Sequence, residues 1–283
     1  MTSSVSSSGT NVPSGPASGG GSEILEALDA GRARAALPDP TAPGGWRVDP
    51  DVKVAILACF RDRSTRDWVV GPLGFRDRVG VPVKDLLEGR EARAAAEAGR
   101  PWRVVPGGSS VRAGVHLGRG VVIMPPSFVN IGAWIGQVAM IDSHVLVGSC
   151  AQIGARVHLA AGVLFGGVLE PPGARPVIVE DDAFVGAGCA LLDGVLVGQR
   201  AIIGAGVTLT GTSRLYDLVR DRVLEGSSGE PLVVPEGAVV VPGTRALAGS
   251  FAREHGLALA TAVIVKDRDA GTDARVALED ALR

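Results

Sequence analysis

The sequence predicts a mainly β protein whose middle is a parallel β-helix of six-residue repeats. Three observations predict it. An apolar residue recurs at every sixth position: Val105, Val111, Leu117, Ile123, Val129, Ile135, Ile141, Val147, Ile153, Leu159 and Phe165. After the segment PPGARP the phase resumes at Val179, Val185, Leu191, Val197, Ile203 and Leu209. The fourth residue after each of these is small or β-branched in nearly every repeat, as in Val115, Val121, Ala133, Ala139, Val145 and Ala151. Aromatic residues are only 4% of a chain that is 46% hydrophobic, so small aliphatic side chains have to build the core. Helices repeat at three and four and single strands at two; a period of six fits neither. In each repeat the apolar residue is expected to point into the stack and the smaller one to lie near the corner. Glycines that often follow the apolar residue (Gly118, Gly136, Gly148, Gly154, Gly186, Gly198, Gly204) are expected at turns of positive φ.

The flanks read differently. Residues Met1 to Ser22 are mostly Ser, Gly, Thr and Pro and read as a disordered tail. A small α/β N-terminal domain is expected over residues 23–102. In it, Glu23 to Leu37 carries helical spacing and stops before Pro38, Val52 to Val70 reads as a strand, a turn and a second strand, and Lys84 to Ala98 reads as a charged amphipathic helix. The β-helix is expected over 103–245, with Val234 and Val240 as a partial return of the repeat. A short C-terminal extension, 246–283, holds a strand at Ala262 to Lys266 and a helix at Val276 to Arg283.

Composition bounds the function. Lys and Arg number 28 against 30 Asp and Glu, so no field gathers nucleic acid or an anionic membrane. No apolar run approaches the roughly 20 residues of a membrane span, and the first residues lack the charged and apolar regions of a secretory signal. Cys59, Cys150 and Cys189 are odd in number and lack metal-ligand spacing, which fits a reducing cytoplasm. The histidines are not spaced for a shared metal, so none is expected. A solenoid leaves open sides, from which a homotrimer is expected.

The segments RVVPGGSSVRAG, VNIGAW, MIDSHVLVGSCAQIG, RVHLAAGV, FGGVLEPPGARPVIVEDDAFVGAG and GTSRLYD carry more than the period. Together they resemble the tetrahydrodipicolinate N-succinyltransferase family of hexapeptide-repeat acyltransferases. The likeness continues into AVIVKDRDAGTDARV and, more weakly, into ILEALDAGRARAAL and VAILACFR. It implies a left-handed β-helix and a reaction in which succinyl-CoA (or acetyl-CoA) acylates the amine of a small dicarboxylate, on the diaminopimelate route to lysine. Arg103 stands where the family has a substrate-binding arginine, suited to a carboxylate. Asp142 stands where the family has a substrate-contacting aspartate, able to hold the ammonium and help take its proton. For CoA, the resemblance and the turn glycines suggest Gly166, Gly167 and Gly206 beside the pantetheine arm, and Arg214 and Lys266 as phosphate partners.

One position departs. Alignment on FVGAG puts Ala190 where the family has a glutamate, Gly188 where an arginine is common, and Cys189 where a serine stands; Asp193 matches another acidic position. Asp142 then lacks its usual carboxylate partner, so a paralogue with another amine or acyl group is a second reading, and a non-catalytic scaffold a third. His144 falls where the family commonly has Trp, and a general-base role stands beside that of a plain surface residue. His158 reads as a hydrogen-bonded structural residue, while His116 and His255 suggest no site. Cys150 reads as a small buried hydrophobe rather than a nucleophile. Glu170 either approaches the thioester or caps its loop.

Overall fold

The computed structural model describes residues 19–70, 72–227 and 229–273. Most of the expected tail and the expected helix at Val276 to Arg283 lie outside these residues. The hexapeptide region winds into a left-handed parallel β-helix of triangular section. Each repeat gives a two-residue strand, and three repeats close one coil, so Trp134 pairs with Gln152 and Ile135 with Ile153, eighteen residues on. Three sheets form the faces. Face A runs from His116–Leu117 through Trp134–Ile135 to Val233–Val234. Face B runs from Arg103–Val104 through Met140–Ile141 and Ile202–Ile203 into Ala238–Ala246. Face C runs from Ser110–Val111 through Leu146–Val147 to Thr208–Leu209.

The second residue of each strand is buried in one continuous core, which explains the period. Burial of each Val, Leu or Ile there contributes roughly 1.5–3 kcal/mol. Three details of the expected register change. Val104, not Val105, pairs with Ile123, so the phase slips by one residue before Val111. The small fourth residues do not sit near the corner; Val115, Val121, Ala133, Ala139, Val145 and Ala151 are all buried in the same core. They are small because each coil sends two side chains per repeat into a narrow prism. The glycines after the inward residue are not the positive-φ positions. Those lie three residues past it, as at Gly114, Gly120 and Gly132. Gly118, Gly136 and Gly148 are needed because an added Cβ would stand 2.3–2.4 Å from backbone of the next coil.

The N-terminal residues clothe the prism. Helix α1 (Gly19–Asp29) starts earlier and ends sooner than expected, and the chain turns away at Gly31. Strands β1 (Ala36–Pro38) and β2 (Trp46–Val48) pair antiparallel. Val52 to Val70 is not two strands. Its first half is helix α2 (Pro50–Cys59), with Pro50 in the first turn and Asp49 capping the amides of Asp51 and Val52. Its buried residues Lys53, Ile56 and Cys59 are three apart, so the apolar run is one helix face. The second half, β3 (Thr65–Val70), pairs with β4 (Leu73–Arg78). Helix α3 spans only Arg90–Glu97, because the Asp85 side chain accepts from the amides of Leu87 and Glu88 and holds that stretch in a turn. These elements share their cores with the prism: Leu28, Ile56 and Val81 pack with Ile131 and Cys150, and Ala36 and Trp46 with Ile178 and Leu196.

Beyond Leu209 the hairpin Arg214–Asp217/Arg222–Glu225 interrupts the coil. Val234 and Val240 then stack on Val197 and Ile203 and complete it. Ala238–Ala246 leaves the prism as a long hairpin with Ala258–Asp267, which contains the expected strand, and the short helix α4 (Ser250–Glu254) lies at its tip. Among the described residues no helix is long and apolar enough to cross a membrane.

Candidate active site

The three edges of the prism differ, and the difference locates the site. Between faces C and A the corners are covered: Gly114 lies under Leu25 and Leu28 of α1, Gly132 under Ile56 of α2, and Gly194 against Arg175. Between faces A and B a ladder of charge runs up the corners. Arg156 bonds Asp182 at 2.6 and 2.7 Å, and Arg268 reaches the carbonyls of Asp182 and Arg200 at 2.9 and 3.1 Å. Between faces B and C the corner tips Ala161, Gly162, Ala187, Gly188, Ala205 and Gly206 are all exposed. A Cβ at Gly188 or Gly206 would meet nothing within 4 Å.

Asp142 stands on this bare edge, two residues past Met140 of face B. It is half-buried, and its Oδ1 accepts from the Ser143 amide at 2.7 Å. The corner beneath is cross-linked by Ser127, whose Oγ donates to the Asp142 carbonyl at 2.8 Å and accepts from the Val145 amide at 3.2 Å. Ser109 repeats this one coil lower, donating to the Met124 carbonyl at 3.3 Å. These serines occupy fourth positions otherwise held by Val or Ala, save Leu169 and Cys189; that break in the pattern is the sequence signal for a polar brace under Asp142. His144 is exposed at φ 61°, its amide bonded to the Pro126 carbonyl at 2.7 Å.

Arg103 is exposed at the foot of face B, in register with Val122, which in turn pairs with Met140. Two coil steps, roughly 10 Å, separate it from the level of Met140, two residues before Asp142. Gly206 shares the bare edge with Asp142, but Gly166 and Gly167 do not. They follow face C on its far side, where a Cβ would lie 3.0 Å from Leu192 and 2.9 Å from the Ser149 amide. Glu170 is exposed in the same excursion, which Lys53 and Arg175 tie to the N-terminal layer by bonds to the Ala174 and Trp46 carbonyls. Within one chain neither set meets Asp142. Arg214 is paired with Glu225 at 2.6 Å and Lys266 with Asp269 at 2.6 Å. Arg214 nonetheless lines a cavity of about 380 Å³ with Thr208, Thr212, Ser213 and Arg245, just above Gly206. Arg245 had no signal in the sequence, because only the long hairpin carries it there.

Ala190 faces outward on face C, between Leu164 and Thr208. Cys150 is buried, and burial pushes its thiol up to about 12, which removes it as a nucleophile. His158 is buried, edge-on to Phe184. A larger cavity, about 890 Å³, lies on face A beneath the N-terminal layer, lined by Trp46, Trp102, Trp134, His116 and Arg34. Among the described residues no His, Cys, Asp and Glu group is arranged to hold a metal ion.

Residues 176–211 match the family model described as the hexapeptide repeat of succinyl-transferase. A 2,3,4,5-tetrahydropyridine-2,6-dicarboxylate N-succinyltransferase of Idiomarina loihiensis is 41% identical over 260 residues, covering 92% of this chain and 87% of that one. Relatives of the same name from Polynucleobacter asymbioticus and Xylella fastidiosa are 40% and 38% identical over 262 and 260 residues. Each match covers 92% of this chain, and 87% and 86% of those proteins. Over that length and identity the chain belongs to the tetrahydropyridine-dicarboxylate N-succinyltransferase family.

Proposed function

We propose that this protein transfers the succinyl group of succinyl-CoA to the amine of ring-opened tetrahydropyridine-2,6-dicarboxylate, on the diaminopimelate route to lysine. Family membership sets the reaction class. The observation that carries the assignment to a site is Asp142, braced by Ser127 at the one bare edge of the prism. Three coil steps up that edge, roughly 14 Å, lie between His144 and Gly206, and the corner tips along the way are alanine and glycine. This supports a pantetheine arm lying along the edge with its thioester beside Asp142. The hydroxyls of Thr208, Thr212 and Ser213 and the guanidinium of Arg245 offer anion contacts for the nucleotide end. Gly166, Gly167 and Lys266 have less support as CoA contacts, since none lines this edge or its cavity.

Asp142 holds the acceptor's nitrogen and Arg103 receives one of its carboxylates. The nitrogen attacks the thioester carbonyl, the C–N bond forms and the C–S bond breaks, releasing CoA. No covalent enzyme intermediate and no metal enters these steps. A homotrimer fits, because the outward residues Phe128, Leu146 and Leu164 make face C apolar and a second copy there would supply the missing wall of the groove. A cytoplasmic setting fits the three buried free cysteines.

Ala190 favours a second reading, a different amine acceptor. A carboxylate expected in this family is replaced by a methyl group on an apolar strand. Both are tested by following CoA thiol release from succinyl-CoA and acetyl-CoA with 2-aminopimelate and with a panel of other amino-acid amines. Turnover with succinyl-CoA supports the first reading, and its rise in Ala190→Glu would strengthen it. Turnover only with other amines supports the second, and none with any pair would leave a scaffold.

A further inference from the structure

The proposed transfer needs a group to take the proton that the amine loses as the C–N bond forms. Asp142, half-buried, and His144, exposed, are the only ionisable side chains that reach the surface of the bare edge among the described residues. The corner below is Met124, Pro125, Pro126 and Ser127; those above are built of Ala, Gly and Val, save Cys189, whose thiol is buried. Face C adds none, since its outward residues are Ser110, Phe128, Leu146, Leu164, Ala190 and Thr208. A second copy closing the groove with that face therefore brings no base on it.

His144 also carries a conformational cost without a structural return. Its φ of 61° is the left-handed region, and the equivalent positions of the next three coils are Gly162, Gly188 and Gly206. Among the other edges' non-glycine residues in this conformation, Arg156 and Asp182 bond each other and Cys150 is buried, whereas Asp193 is exposed like His144. The His144 imidazole is exposed and makes no hydrogen bond to any described residue. His144 alone of these stands on the bare edge, two residues from Asp142, and there a side chain kept at that conformational cost is a mark of function.

We propose that His144 is the general base of the transfer, a role that rests on the reading above. The neutral imidazole takes the proton from the attacking nitrogen as the C–N bond forms, and delivers it to the CoA sulfur as the C–S bond breaks. The products are the amide and the free thiol. Asp142, two residues away on the same corner, holds the acceptor. The charged groups around His144 within the chain are Asp142 on its own corner and, two coils lower on face B, Arg103.

The test uses His144→Gly and His144→Asn, both of which a left-handed backbone accepts. With succinyl-CoA and 2-aminopimelate, kcat/KM is expected to fall about 100-fold or more in each, as loss of a general base implies. The acidic limb of the wild-type pH–rate profile disappears, and added imidazole restores part of the rate of His144→Gly but none of that of Asp142→Asn. Thermal midpoints matching wild type exclude a folding defect. Variants that keep the wild-type rate and acidic limb overturn the proposal while leaving the transfer reading intact; so does a loss that keeps the limb and resists imidazole. A wild-type protein that releases no CoA overturns both.

Discussion

Gly136 and Gly154 touch across successive coils so closely that a methyl group on Gly136 would stand 2.4 Å from the Gly154 carbonyl carbon. This contact, repeated at Gly118 and Gly148, sets how tightly the corners stack. Gly136→Ala is expected to lower unfolding free energy by about 3 kcal/mol, since the obstacle is backbone and cannot rotate away. Gly206→Ala, open to solvent but at φ 74°, should cost only about 1–2 kcal/mol. Urea unfolding of the two variants checks the order.

His116 ties the N-terminal layer to face A. It stacks on Trp134 at 3.9 Å, and its Nδ1 donates to the Asp29 carbonyl at 3.1 Å. Burial lowers its pKa, so the folded state resists its protonation. The unfolded chain binds that proton from about pH 6.5 downward. This contribution to stability is therefore complete above that pH and lost as pH falls toward the depressed folded value. The thermal midpoint of wild type should drop between pH 7.5 and pH 5.5 by more than that of His116→Gln, as measured by circular dichroism.

Lys84 and Asp29 form a buried pair at 2.5 Å, and Asp29 also accepts from the Gly114 amide at 2.9 Å. Burial raises the Asp29 carboxyl even against the attraction of Lys84. Lys84→Met leaves that carboxylate without its cation and is expected to cost about 3 kcal/mol at pH 7.5. A raised carboxyl is most easily neutralised in the folded state, so the loss should shrink at pH 5. Paired denaturation curves at the two pH values measure it; an equal loss at both would count against the buried charge as the cause.

The prism was legible because one chemical rule repeats: every sixth side chain has nowhere to go but inward. The same repetition hid the role of its glycines, since Gly136 and Gly132 serve packing and left-handed φ respectively, and composition alone does not separate them. The N-terminal layer departs from expectation at Val52 to Cys59, where β-branched content suggests a strand but the Asp49–Pro50 cap starts a helix; the second strand of that stretch is present as Thr65–Val70. Asp142 was legible through its motif. Its isolation on a bare edge was not, because that depends on which corners α1, α2 and Arg268 happen to cover. Arg245 was invisible for the same reason: the long hairpin Ala238–Asp267 carries it to the cavity beside Thr208.

The central claim is that the bare edge at Asp142 is where acyl transfer takes place. Measuring kcat/KM for CoA release from succinyl-CoA with 2-aminopimelate in wild type and Asp142→Asn tests it most directly. The account predicts a loss of about 100-fold or more, with the thermal midpoint unchanged because among the described residues the Asp142 carboxylate bonds only the adjacent Ser143 amide. Wild-type turnover in Asp142→Asn would contradict it.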